Sequence, residues 1–318
     1  MPAYTATAPG KVILFGEHAV VYGRPAIAAP VGQVQARAVV SAAPRRPAGE
    51  VLIQAPDIGL EDRLAELPED HPLACAVNGL LNALNVTHIP ACTVRITSTI
   101  PVAAGMGSGA AVSVAVLRAL SAFLGSPLSD ERVSALAYEV EKLHHGTPSG
   151  IDNTVITFAM PVYFVRGQPI QTLRLPTPFS LVIGNTGIAS PTAVAVGDVR
   201  RGWQADPAEY EALFEQVGKI AQAARFAIEA GQIDHLGPLM DENQALLARM
   251  GVSSPDLERL IQKARSAGAL GAKLSGGGRG GNMIALAAGD NASEIARALL
   301  TSGAVRAITT TIRAPSHA

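Results

Sequence analysis

The stretch YEVEKLHHGTPSGIDN, Tyr138–Asn153, sets Glu141 late in a helical pattern and Asp152 just after a Gly-Thr-Pro-Ser-Gly loop. Two carboxylates separated by a short rigid loop can share a divalent cation, or divide into a metal ligand and a general base. The plainer reading makes Glu141 a solvated helix face and Asp152 an N-cap or turn residue. His144-His145 reads as helix-end polarity near the dipole rather than as a metal pair.

Three further stretches carry chemistry. In PGKVILFGEHAVVYGRPAIA, Pro9–Ala28, Lys11 opens an otherwise apolar strand, where a cation is costly unless paired or exposed. Glu17 and His18 follow in the turn. In PVAAGMGSGAAVSV, Pro101–Val114, three glycines occupy five positions and an apolar helix follows. Glycines let backbone N–H groups approach an anion, and a helix start adds its positive end, so phosphate is the natural ligand. A tight strand-to-helix turn explains the glycines equally well. In AKLSGGGRGGNMIAL, Ala272–Leu286, five glycines in six positions require a close approach to another backbone or to a ligand.

Two other readings of these loops fail on context. G-M-G-S-G-A fits a loose dinucleotide fingerprint, but Asp130 stands at a helix start and not at a strand end. Gly276–Gly281 also fits, yet a strand follows it. No G-x-x-x-x-G-K-[ST] occurs.

The elements that must position these residues are readable in outline. Strands are expected at Lys11–Phe15, Ala26–Ala29, Val34–Val40 and Cys92–Ile100, and a strand pair at Val155–Phe158 and Val162–Val165. Helices are expected at His71–Asn85, Ala110–Leu124 and from Ser129-Asp130-Glu131 onward. Beyond a proline-punctuated stretch at Leu173–Pro178 come strand Ser180–Gly184 and helices Pro207–Ala230, Pro238–Met250 and Pro255–Ala267. Strand Met283–Ala287, helix Ala292–Thr301 and strand Ala304–Ile312 complete the pattern. Without a regular βαβ period, the order favours α+β. Two domains are expected, 1–176 and 177–318.

Composition narrows the partners. The 318 residues are 48% hydrophobic with a mean hydropathy of +0.26 and a net charge of −1, so nothing advertises nucleic acid or a membrane surface. Two cysteines, Cys75 and Cys92, make a disulfide framework or a four-cysteine metal site unexpected. No secretory leader and no membrane-length apolar run is read, so a cytoplasmic protein acting on a small molecule is expected.

Taken together, the motifs resemble those of the GHMP kinases, all three in order and spread over most of the chain. GKVILFGEHAVVYG and HHGTPSGIDN are most similar to the mevalonate kinases within that family. The resemblance implies a ribosomal protein S5 domain 2-like N-terminal domain and a ferredoxin-like C-terminal domain. It implies ATP and Mg²⁺, with mevalonate as the acceptor and a homodimer as the assembly. Asp152 would accept the proton of the attacking hydroxyl. Lys11, paired with Asp152, would lower that hydroxyl's pKa and stabilise phosphoryl charge. Glu141 and Ser108 would hold the metal. Pro101, Gly105, Met106, Gly107, Ser108, Gly109 and Ala110 would hold ATP, with Gly276 and Gly277 supporting from the other domain. Glu17, His18, Ser149, Gly150 and Thr192 would meet mevalonate. A related kinase for phosphomevalonate or homoserine, or a silent nucleotide-binding member, are the alternatives.

Three positions depart from the family pattern. Gly109 replaces a serine that contacts Mg²⁺ in relatives. No basic residue precedes Thr192 in Ile188-Ala189-Ser190-Pro191. Arg279 interrupts the third glycine loop and is expected to face solvent.

Overall fold

The structure is a computed structural model and describes residues 3–101, 105–145, 148–169, 171–189 and 192–314; the side chains of His144 and His145 also lie outside the described set, as does Ser190. The chain divides into two compact units that interleave in sequence. The first comprises Met1–Gly10, Val34–Pro101 and Gly107–Ala159, and the second Lys11–Gln33, Val102–Met106 and Met160–Ala318.

The chain begins with two long strands, β1 (Ala3–Phe15) and β2 (Ala26–Ala42). The second runs unbroken through the two segments expected as separate strands. In the first unit follow β3 (Val51–Ala55), β4 (Leu60–Arg63), α1 (Pro72–Ala83) and β5 (Cys92–Ser98). Strands β3 and β5 pair in parallel, from Val51↔Cys92 to Gln54↔Arg95, with α1 in their crossover. On its other side β5 pairs antiparallel with β2, from Ala36↔Ser98 to Ala42↔Cys92.

Helices α2 (Ser108–Phe123) and α3 (Asp130–His145) pack with α1, and α2, α3 and α4 (Ile151–Phe158) pack on one another. Helix α2 buries Ala110, Ala111, Val114, Ala115, Val116, Leu117, Ala119 and Leu120, nearly its whole circumference, as an interior helix must. Its one charge, Arg118, pairs with Asp130 at 2.6 Å and donates to the Thr157 carbonyl. Asp130 is thereby engaged at a helix start, away from any ribose-binding role.

Residues 155–158, expected as a strand, are the end of α4. Their β-branched side chains favour a strand locally. The start of the segment overrides that preference. Gly150 adopts φ 89° as N-cap, the Ile151 N–H donates to Ser149 Oγ at 3.3 Å, and Ile151 and Val155 are buried one turn apart.

The second unit continues with β6 (Val162–Phe164), β7 (Gln171–Thr172), β8 (Phe179–Asn185), α5 (Thr192–Ala205), α6 (Pro207–Glu229), α7 (Leu236–Arg249) and α8 (Pro255–Ser266). Strands β9 (Gly271–Ser275) and β10 (Asn282–Leu286), helix α9 (Ala292–Thr301) and strand β11 (Arg306–Ile312) follow. The order β11-β8-β10-β9 is antiparallel throughout, the ferredoxin-like arrangement. The α+β expectation holds; β3, β4, β7, β9 and α5 were not anticipated.

Both cysteines are free, Cys75 half-buried in α1 and Cys92 fully buried at the start of β5. Burial pushes the Cys92 thiol up to about 11. No helix among the described residues is long and apolar enough to cross a membrane.

Candidate active site

In the first unit lie the head of α2 with Glu141 against it, Pro101 after β5, and Ser149, Gly150 and Asp152 at the start of α4. The N-cap of α2 is Gly107, at φ 71° and with no side-chain cap. The first-turn N–H groups of Ser108, Gly109 and Ala110 therefore depend on something other than an N-cap side chain, and the helix dipole makes that place favourable for an anion. A Cβ on Gly109 would stand 3.5 Å from Glu141 Oε1. A buried carboxylate on α3 thus lies against the glycine-capped end of α2. Pro101, half-buried, lies just beyond β5.

Asp152 sits in the first turn of α4, half-buried. Its neighbour Asn153 is buried and donates to the Ser134 carbonyl at 3.2 Å and to Ser134 Oγ at 2.9 Å. Ser134 and Glu141 are seven residues apart on α3, about two turns, and so share a face. The Asn153 clamp ties the Asp152 turn to that face. Ser149 and Gly150 cap the same turn, and Thr154 Oγ1 donates to the Gly150 carbonyl at 2.7 Å.

The second unit gathers a different set. Lys11, 4% exposed near the end of β1, donates its backbone N–H to the Met106 carbonyl at 3.0 Å. The two glycine loops meet here as well, since a Cβ on Gly276 would stand 3.6 Å from the Gly105 carbonyl oxygen. A Cβ on Gly277 would come within 3.2 Å of Thr192 Cα at the start of α5. At Gly278, φ 81°, a Cβ would strike the Val252 carbonyl oxygen at 2.0 Å. Close backbone approach therefore accounts for much of the third glycine run.

Glu17 and His18 are both buried after β1. His18 has φ 60° and ψ −50°, and the Ala19 N–H donates to the Glu17 carbonyl at 2.6 Å. This is a γ-turn of the rare, strained kind centred on His18. The His18 Nε2–H donates to the Gly277 carbonyl at 3.1 Å, while buried Nδ1 has no hydrogen-bond partner among the described residues. Burial holds the imidazole down to about 4, against the opposing hydrogen bond to Gly277, so the ring is neutral at physiological pH. Glu17 forms an ion pair with Lys273 on β9, both side chains fully inaccessible. Burial pushes the Glu17 carboxyl up and the Lys273 ammonium down, each opposed by the other's charge.

Lys273 was missed in the sequence, although its signal equals that of Lys11: a lysine in an apolar strand beside a glycine loop. Arg279 is exposed, as expected, and is held at the surface. It ion-pairs with Asp198 on α5, and its Nε–H donates to the Gly251 carbonyl at 3.2 Å.

Among the described residues no group of three or more His, Cys, Asp or Glu side chains is placed to cage a metal. Mg²⁺ needs no such cage, because it keeps several waters and takes one or two carboxylates with phosphate oxygens. Glu141, facing the head of α2, fits that demand.

Comparison with known proteins agrees with this geometry. The profile of the GHMP kinases N terminal domain matches residues 72–160, and that of the GHMP kinases C terminal domain matches 224–305. The mevalonate kinase of Thermococcus gammatolerans is 37% identical over 96% of this chain and 95% of its own length. That of Pyrococcus horikoshii is 38% identical over 96% and 94%. The crystal structure of L. major mevalonate kinase in complex with R-mevalonate superposes with a TM-score of 0.84 at 32% identity, covering 98% of this chain and 96% of that one. The Methanococcus jannaschii mevalonate kinase structure gives 0.83 at 25%, covering 99% of each. With a glycine-capped helix facing a buried carboxylate, a ferredoxin-like second sheet and relatives over nearly its whole length, the chain belongs to the GHMP kinase family.

Proposed function

We infer that the protein transfers the γ-phosphoryl group of ATP to the 5-hydroxyl of mevalonate, giving 5-phosphomevalonate and ADP. One observation carries the reading from the structure's side: the Glu141 carboxylate lies against the glycine-capped N-terminus of α2, a metal ligand beside a phosphate-binding helix end. The relatives named above supply the acceptor. Phosphoryl transfer asks for positioning and charge neutralisation more than covalent chemistry, which suits these groups.

In this reading Gly105–Ala110, with Gly276 and Gly277, hold the ATP phosphates through backbone N–H groups, and Pro101, which has no N–H, shapes the entry to the loop. Glu141 and Ser108 would hold Mg²⁺, which when bound would supply positive charge against the phosphates. Glu17, His18, Ser149, Gly150 and Thr192 orient mevalonate. Asp152 takes the hydroxyl proton as the new O–P bond forms and the bond from the γ-phosphorus to the bridging oxygen breaks. Lys11 favours the alkoxide and the phosphoryl charge. Residues 1–176 and 177–318 are read as the two domains, and the protein as a cytoplasmic homodimer without nucleic-acid partners. Sedimentation at micromolar concentration tests the dimer.

The deciding experiment offers purified protein Mg²⁺-ATP with mevalonate, phosphomevalonate, homoserine or galactose and measures ADP release. Mevalonate is expected to give the highest kcat/KM. Silence with mevalonate alongside turnover of another acceptor overturns the assignment.

A further inference from the structure

Strand β9 and the loop after it grip the chain around the β1 turn at three alternate residues. Lys273 ion-pairs with Glu17. Ser275 Oγ accepts from the Ile13 N–H and donates to the Ile13 carbonyl, each at 3.0 Å. The Gly277 carbonyl accepts from His18 at 3.1 Å. Lys273 and Ser275, alternate residues of β9, share a face, and with the Gly277 carbonyl just past the strand they serve as a splint for Ile13, Glu17 and His18.

The splint has something to hold. The γ-turn at His18 is a conformation that persists only when its surroundings over-determine it. Two tethers flank it, Lys273 on the preceding residue and Gly277 on the turn residue itself. The Lys273–Glu17 pair is an unusual choice for stability alone, since a buried ion pair commonly does no better than an apolar pair of the same shape. It also leaves Glu17 Oε2 buried and without a hydrogen-bond partner among the described residues, as it leaves His18 Nδ1. Two buried acceptors on consecutive residues, both without a partner among the described residues, call for polar hydrogens from a bound molecule. Lys273 has two anchors of its own, Glu17 and the Leu274 carbonyl at 2.6 Å. The Leu274 N–H in turn donates to buried Gln244 Oε1 at 2.9 Å, fixing β9 to α7.

We propose that Lys273 is a positioning residue for the acceptor: its buried ammonium holds one oxygen of Glu17, so that the other oxygen and His18 Nδ1 are presented together to the hydroxyl-bearing substrate. The proposal rests on the functional reading above and adds to it a residue that itself touches neither substrate nor nucleotide. Lys273→Met removes the tether, and Lys273→Gln keeps a neutral donor in nearly the same volume.

Steady-state kinetics and thermal melts on the full chain test it. Lys273→Met is expected to raise the KM for mevalonate at least tenfold and leave the KM for ATP within twofold. Lys273→Gln is expected to recover part of the loss. A merely structural lysine would lower the melting temperature and leave the ratio of the two KM values unchanged, and that result overturns the proposal. If Lys273→Met does not fold, Lys273→Gln decides: a threefold or larger rise confined to the mevalonate KM supports it, and no change overturns it. If neither variant folds, Lys273 is a fold determinant and the proposal fails. Wild-type protein without mevalonate-dependent ADP release would sink the functional reading and this one together. Wild-type turnover with an unaltered mevalonate KM in Lys273→Met sinks this one alone.

Discussion

Asp152 and His18 show how differently two polar residues can be placed in one reaction. Asp152 is half-buried on a short helix whose first turn is capped by Ser149 and fastened through Asn153. As the proposed base, it acts on a proton and not on nucleotide binding. Asp152→Asn is therefore expected to lower kcat about a hundred- to ten-thousandfold, with ATP affinity, read by calorimetry, within about twofold. His18 is buried and neutral, with its folded pKa at about 4 against 6.5 unfolded. Between those values the unfolded chain binds a proton that the folded chain refuses. Stability is then constant above pH 6.5 and falls as pH drops through the window, by about 3 kcal/mol for this one group. Chemical denaturation at pH 7 and pH 4.5 checks this, and His18→Gln is expected to lose less over the same interval. A wild-type and variant pair with equal losses would assign the pH dependence to other groups.

The elements explain which parts of the site could be read in advance. Lys11, Glu17, His18, Glu141 and Asp152 could be proposed from the sequence because each stands near a glycine- or proline-marked turn, loop or helix end. Helix α4 could not, because its β-branched residues point locally to a strand and only the cap at Gly150 reverses them. Lys273 carried the same local signal as Lys11, but its partner Glu17 lies 256 residues away, and no pattern along the chain reports that pairing. The Gly109 departure belongs to this scale as well. The position is in the first turn of α2, and an added Cβ makes ordinary contact with Glu141 Oε1 at 3.5 Å. Gly109→Ser is expected to fold, to gain about 0.5 kcal/mol of helix propensity, and to lower the Mg²⁺ concentration for half-maximal rate several-fold. An unchanged Mg²⁺ titration would show that Glu141 and the helix end suffice. Gly278→Ala is the opposite case. With φ 81° and a carbonyl oxygen 2.0 Å from the new carbon, it is expected to cost more than about 2 kcal/mol. A melting temperature equal to wild type would contradict that packing.

At the scale of the whole molecule, the interleaving of the two units matters more than any linear boundary. Lys11–Gln33 groups with the C-terminal part of the chain, and it carries the partners of Lys273, Ser275 and Gly277. A fragment of residues 177–318 contains all four strands of the second sheet but would have to bury Lys273 without its carboxylate. It is expected to be unfolded or molten by near-ultraviolet circular dichroism and amide NMR; a well-dispersed spectrum from the fragment would refute this. A linear cut could not have revealed the dependence, because residues brought together by β1 are separated by most of the chain. The two cysteines acquire a use from the same division. Both lie in the first unit, and Cys92, with its thiol held near 11, is closed to alkylating reagents while β5 is paired. The second unit has none. Timed alkylation read by mass spectrometry thus offers a native clock for the opening of one unit alone, with half-buried Cys75 as its fast hand and Cys92 as its slow one.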